Sequence, residues 1–227
     1  MHERFPGVAH LGRAILDRSK HRSCVSKLQE SHRNDELMLV DASRIAGGLS
    51  LMEIEVVHST HDNLEVPDGF RTEIVEGRIS ITGPQVGRHA AIINRIERSA
   101  KVGLPPGHGL FQVTTAQEPG GDRYIPDLIA WPIALLHTST EWVLPASKSP
   151  IAVEVTAPGQ GQRDYRKASG YARAEVPTYL LVDRGKQECV VFTDPNDGWY
   201  QTVRHLPFGE PVELTIAKSA IIDTSDF

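Results

Sequence analysis

Residues 151–184, IAVEVTAPGQGQRDYRKASGYARAEVPTYLLVDR, constrain the fold more tightly than any other stretch of the chain. An apolar run (151–156) leads into a helical stretch (161–176) that stops before Pro177, and a second apolar run (178–183) follows. Two such runs joined through a helix predict parallel neighbours in one sheet, linked by a right-handed crossover. Strands of that kind are covered on both faces and read as unbroken apolar sequence. Glu154 interrupts the first of them. A carboxylate buried there alone costs roughly several kcal/mol, so it must lie near a strand end, meet a cation or hold a metal.

Asp127 raises the same problem. It follows Pro126 in YIPDLIAW, apolar on both sides, on an expected neighbouring strand. Two acids brought together on adjacent strands raise each other's pKa unless a cation neutralises them, and oxygen ligands alone favour Mg²⁺ or Mn²⁺ over zinc. The crossover helix carries Arg163, Arg166, Lys167 and Arg173, with Asp164, Lys167 and Tyr171 on one face. Asp, Glu, Lys and a divalent ion are the parts of a phosphodiester hydrolysis site. Each residue also has a plainer reading. Asp127 can cap or pair with an arginine, and Lys167 can belong to a solvated face. Asp164 can complement the helix dipole, Glu73 can pair with Arg71 at the surface, and Tyr171 and Tyr179 can simply pack.

Around this unit the punctuation is regular. FRTEIVEGRISITG (70–83) alternates about Glu76-Gly77 and predicts a hairpin, and residues 84–101 predict an amphipathic helix. GLFQVTTAQ and DRYIPDLIAW flank the turn EPGGD as a second hairpin, and strands are expected at 178–184, 188–195 and within 199–216. The fold class is therefore α/β in the α+β sense, a central mixed sheet flanked by two helices with hairpins added at either end.

A net charge of −5 removes any global field that would draw in a polyanion, so a nucleic-acid site must be a local patch. Both helices offer one: four cations against one acid over 88–101, and four against two over 161–176. The GQGQ stretch at 159–162 opens the second helix with amides that can face a phosphate. Cys24 and Cys189 lack metal-ligand spacing and read as free thiols. No membrane-spanning run or signal peptide is apparent, which leads us to expect a cytoplasmic protein without a membrane partner. Residues 1–51 are polar and are expected to be an extension, with the folded domain at 52–227.

The motifs TEIVEG, RHAAIINRI, IPDLIAW, IAVEVTAP, RDYRKASGYARAEVPTYLLVD and IIDTSDF together resemble the bacterial Uma-two family of restriction endonuclease-like proteins, a branch of the PD-(D/E)XK nuclease superfamily. The resemblance runs from about residue 64 to 227. It implies a restriction-endonuclease-like core and a Mg²⁺- or Mn²⁺-dependent endonuclease acting on DNA. Asp127 and Glu154 become the metal ligands, joined by the Val155 carbonyl and by Glu73. Thr156 stands where the superfamily places its lysine, and Lys167 takes over that catalytic role. Arg88, His89, Arg163 and Arg166 become substrate contacts, and by analogy with nucleases that cut both strands a homodimer is expected. The competing function class is a nuclease-fold module that binds nucleic acid or protein without cleaving it.

Overall fold

The computed structural model describes residues 49–157 and 161–227. The expectations for residues 1–48, Cys24 among them, and for positions 158–160 of the loop before the crossover helix lie outside the described residues.

Helix α1 (Leu51–Asp62) precedes the hairpin β1 (Arg71–Val75) and β2 (Arg78–Thr82), and helix α2 (Gly87–Ala100) follows. The middle of the chain forms β3 (His108–Phe111), β4 (Thr115–Gln117), β5 (Arg123–Tyr124), β6 (Leu128–Pro132), the short helix α3 (Ile133–Thr138) and β7 (Val143–Pro145). Then come β8 (Ile151–Val155), α4 (Gly161–Arg173), β9 (Thr178–Asp183), β10 (Glu188–Asn196), β11 (Trp199–Pro207), β12 (Val212–Thr215) and β13 (Ser219–Ile222). Among the described residues no helix is long and apolar enough to cross a membrane.

The main sheet has the order β11-β10-β9-β8-β6-β3, and its one parallel pair is β8 with β9, joined through α4 as the two apolar runs predict. A second sheet, β2-β1-β5-β4-β7, carries the N-terminal hairpin, and β12 with β13 forms a separate ribbon. The expected second hairpin forms over nearly the expected residues but is divided between the two sheets. Its outer part, β3 with β6, belongs to the main sheet, while its inner part, β4 with β5, belongs to the second. One connected pair of chain segments thus ties the two sheets together.

Alternation along β8 and β9 sorts the core into two clusters. Ile151, Val153, Val155, Leu180 and Val182 face α2, where Ile92, Ile93 and Ile96 close an aliphatic layer. Ala152, Tyr179 and Leu181 face α4 and pack with Tyr124, Trp131, Tyr171 and Phe192. Helix α4 comes close to that layer because Gly170 lacks a side chain: a Cβ there would lie 2.0 Å from the Tyr124 hydroxyl.

Three sequence expectations need adjustment. Helix α2 starts at Gly87, because Val86, its N-cap, is extended and residues 84–85 lie outside the helix. Helix α1 was not foreseen, although its capping box is legible: Ser50 and Glu53 exchange hydrogen bonds at 2.8 and 3.3 Å. Its hydrophobic stripe is too weak to signal a helix, since among its residues only His61 is buried. Lys167 does not lie on a solvated face; it is fully buried.

Candidate active site

Glu154 shares the orientation of Ala152, so the strand delivers it to the α4 side, among aromatic rings. It is 3% exposed. Its partner is Lys167, two turns into α4, whose Nζ donates to Glu154 Oε1 at 2.7 Å and to Glu73 Oε1 at 2.7 Å. Asp164, one turn earlier on the same helix face, adds a third carboxylate 3.7 Å from that ammonium. The question posed by an acid inside an apolar strand therefore has a direct answer in the fold: a lysine from the crossover helix neutralises it.

Glu73 reaches this cluster from the N-terminal hairpin. Its Oε1 also accepts the Ile125 amide at 2.7 Å, so the residue joins β1 to the approach of β6 instead of pairing with Arg71 at the surface. Arg71 turns to Asp127 at 3.7 Å. Asp127 sits just before β6 and is held by two further groups: His89 Nε2 lies 3.0 Å from Oδ1, and the Val155 amide donates to Oδ2 at 2.9 Å. Val155, whose carbonyl the resemblance assigns to a metal shell, meets Asp127 through its amide. Arg163 completes the wall, donating through Nε and Nη2 to Asp164 Oδ1 and through Nη1 to the Thr82 hydroxyl, with Glu73 Oε2 at 3.8 Å.

The electrostatics follow from crowding. Burial pushes the Glu154 carboxyl well above the usual carboxylate range; Lys167 opposes this, and Asp164, Glu73 and Asp127 add to it. Asp164 is raised for the same first reason. Burial alone would lower Lys167, but the charges of Glu154, Glu73 and Asp164 outweigh it and hold the ammonium charged. The two directions pull against each other across one contact. A single nitrogen at 2.7 Å from two carboxylate oxygens is the geometry of a charged ammonium, so the surplus negative charge rests on the acids.

That surplus bears on a metal. Among the described residues no three His, Cys, Asp or Glu side chains form a ready metal cage. Mg²⁺ does not need one, since it is commonly held by one or two carboxylates and keeps waters or phosphate oxygens in the rest of its shell. Glu73, Asp127, Glu154 and Asp164 outnumber the buried cations beside them, and their oxygens are hard donors. The oxygens of Asp127 and Glu154 are thus of the chemical kind that a hard divalent cation takes.

The other residues singled out by resemblance fall in different places. Arg163 and His89 join the cluster. Arg166 lies outside it, half exposed and 3.6 Å from Glu76. Arg88 is turned away, donating to the Phe227 carbonyl near the end of the chain, so it ties α2 to the IIDTSDF segment. The Thr156 hydroxyl accepts from the Arg184 amide at 3.1 Å. Cys189 is a buried free thiol that burial pushes up to about 12. Sequence reading passed over Asp122, which caps the β1–β2 turn. The amides of Glu76 and Gly77, both at positive φ, donate to its two oxygens at 2.7 and 2.8 Å. The acid that closes EPGGD was a turn signal only; nothing local shows that it reaches a turn 45 residues away.

A family model described as "Putative restriction endonuclease" (Uma2) matches residues 59–222. The crystal structure of a "putative nuclease belonging to DUF820" from Anabaena variabilis ATCC 29413 is similar at a TM-score of 0.54 and 16% identity, covering 66% of this chain and 84% of that one. At such identity the likeness is one of fold, and it bears out the mixed-sheet, restriction-endonuclease-like class. Among curated proteins no sequence matches.

Proposed function

This chain belongs to the Uma2 family, and from that premise we propose that it is a divalent-metal-dependent endonuclease that hydrolyses phosphodiester bonds in DNA. The observation that carries the reading is the convergence of Glu73, Asp127, Glu154 and Lys167 from three strand regions and one helix onto one buried cluster. A fold stabilised for its own sake gains little from such a group, because well-packed apolar residues stabilise a core as well or better. Buried, crowded carboxylates are more often kept for chemistry.

Asp127 and Glu154 would hold Mg²⁺ or Mn²⁺. When bound, such an ion supplies a polarised phosphoryl group and an acidified water. The residues of the chain prepare that site. His89 and the Val155 amide fix the two oxygens of Asp127 in direction. Lys167 has no exposed surface, so it acts as a positioning residue. It holds Glu154 and Glu73 in place and sets a fixed positive charge behind them, which favours negative charge building up on phosphate in front.

Cleavage of supercoiled, linear and single-stranded DNA with Mg²⁺, Mn²⁺ or EDTA tests the reading, run beside Asp127→Ala and Glu154→Ala. Metal-dependent cleavage that both variants lose is expected; cleavage retained by folded Asp127→Ala overturns it. Thr156 in place of the superfamily lysine, together with a solvent-sealed Lys167, favours a second reading in which the fold binds nucleic acid without cutting it. Binding with no turnover on any of these substrates decides for that alternative.

A further inference from the structure

Beside the acid cluster, the β1–β2 hairpin and the start of α4 enclose an open groove of about 360 Å³ lined by Val75, Arg78, Ser80, Ile81, Gln162, Arg163 and Arg166. Three of its seven lining residues are arginines and none is an acid, on a chain whose net charge is −5. This is the reverse of the general balance, and it arises from tertiary contact, since Arg78 is 85 residues from Arg163 in sequence.

The three guanidinium groups are in different states. Arg163 is anchored: it is bound to Asp164 and Thr82 and lies 3.8 Å from Glu73, so it forms a fixed wall between groove and acids. Arg166 is half exposed, and its contact with Glu76 at 3.6 Å is beyond good hydrogen-bond length. Arg78 is exposed, and its side chain makes no hydrogen bond or ion pair among the described residues. One unpaired cation, one loosely paired with Glu76 and a fixed third, with Ser80 and Gln162 also lining the groove, suit the spaced oxygens of a phosphate chain.

We propose that Arg78, Arg163 and Arg166 form a phosphodiester-binding groove between the hairpin and α4, which seats the nucleic-acid backbone next to Asp127 and Glu154. The choice of polyanion rests on the nuclease reading above; the groove adds Arg78, which no motif in the sequence points to. Arg163 touches both groove and cluster, so backbone bound in the groove is delivered at a fixed offset from the carboxylates. The contacts are to phosphate and carry no base sequence.

The test is binding without chemistry: fluorescence anisotropy of a labelled DNA duplex and its single strand on the full chain in EDTA, across a salt series. Arg78→Ala and Arg166→Ala should each lower the slope of log K against log salt by roughly one, and the double variant should bind roughly tenfold more weakly. Arg204→Ala, an exposed residue of equal charge on β11, should change neither quantity. A mononucleotide at equal phosphate concentration should not compete. The proposal is overturned if the double variant behaves as Arg204→Ala does, if the mononucleotide competes equally, or if the unaltered chain binds neither DNA form. The two readings fail separately. Intact binding by the double variant alongside Asp127-dependent cleavage removes the groove and leaves the nuclease, whereas groove-dependent binding without cleavage does the opposite.

Discussion

The two faces of the main sheet are made from the same strands and have opposite characters. Toward α2, β8 and β9 present Ile151, Val153, Val155, Leu180 and Val182 to three isoleucines, and buried Asp127 meets that layer only at the strand end, beside His89 of α2 and the Val155 amide. Toward α4 the intervening positions present Ala152, Glu154, Tyr179 and Leu181 to a helix that carries Asp164 and Lys167 into the interior. The aliphatic face gives stability by burying area, about 1.5–3 kcal/mol for each large side chain. The α4 face gives up part of that gain to hold charge. One strand thus separates a structural role from a chemical one by its period of two residues.

The largest effect that would sharpen this contrast comes from Lys167. Lys167→Ala leaves Glu73 and Glu154 buried without their cation, and a loss of about 3–5 kcal/mol is expected in urea unfolding. Adding Glu154→Gln to Lys167→Ala should recover part of the loss, because the uncompensated charge is then gone. Additive losses in the double variant would break the claim that this face is organised around an ion pair.

A smaller effect should appear with pH. Burial raises Glu154, Asp164 and Asp122 above their ordinary values of 4.5, 3.8 and 3.8. The native state therefore binds more protons than the unfolded chain once pH exceeds those values, and stability falls as pH rises, by up to about 1.4 kcal/mol per unit for each proton. Asp122→Asn isolates one contribution outside the acid cluster and should flatten the slope measured as pH rises above 3.8, the ordinary value of that carboxyl. An unchanged slope would remove Asp122 from the account.

The smallest effect belongs to the aliphatic face. Ile96→Val deletes one methylene from a fully buried site and should cost about 0.5–1.5 kcal/mol, with no change in the pH slope and none in the cleavage proposed above. A shift in cleavage from this variant would mean that the two faces are coupled more closely than their separate packing indicates.

How far the site could be read in the sequence varies residue by residue. Glu154 and Asp127 stood out because an acid in an apolar run violates the pattern of a two-sided strand, and both lie where that violation implied, in the buried interior. Lys167 could not be distinguished from a surface lysine, since a helix with several cations looks the same whichever face is covered. Glu73 looked like half of an exposed pair with Arg71 because residues two apart on a strand share a face; the structure turns them to Lys167 and Asp127 respectively. Arg78 gave no signal at all, because nothing within the β1–β2 hairpin records that α4 lies across it.

The sequence by itself determined the elements whose cause is local or periodic. The Glu76-Gly77 turn follows from backbone freedom at positive φ, and the pairing of β8 with β9 from two apolar runs joined by a helix; that helix ends at Arg173, three residues earlier than the Pro177 signal predicts, where Glu175 turns the chain at positive φ. Only the tertiary structure decided which charges meet. Lys167 with Glu73 spans 94 residues and His89 with Asp127 spans 38, and such contacts depend on how sheets and helices stack, which no local pattern encodes. A buried carboxylate must be neutralised somewhere, so sequence reveals the need, but the partner is chosen by packing.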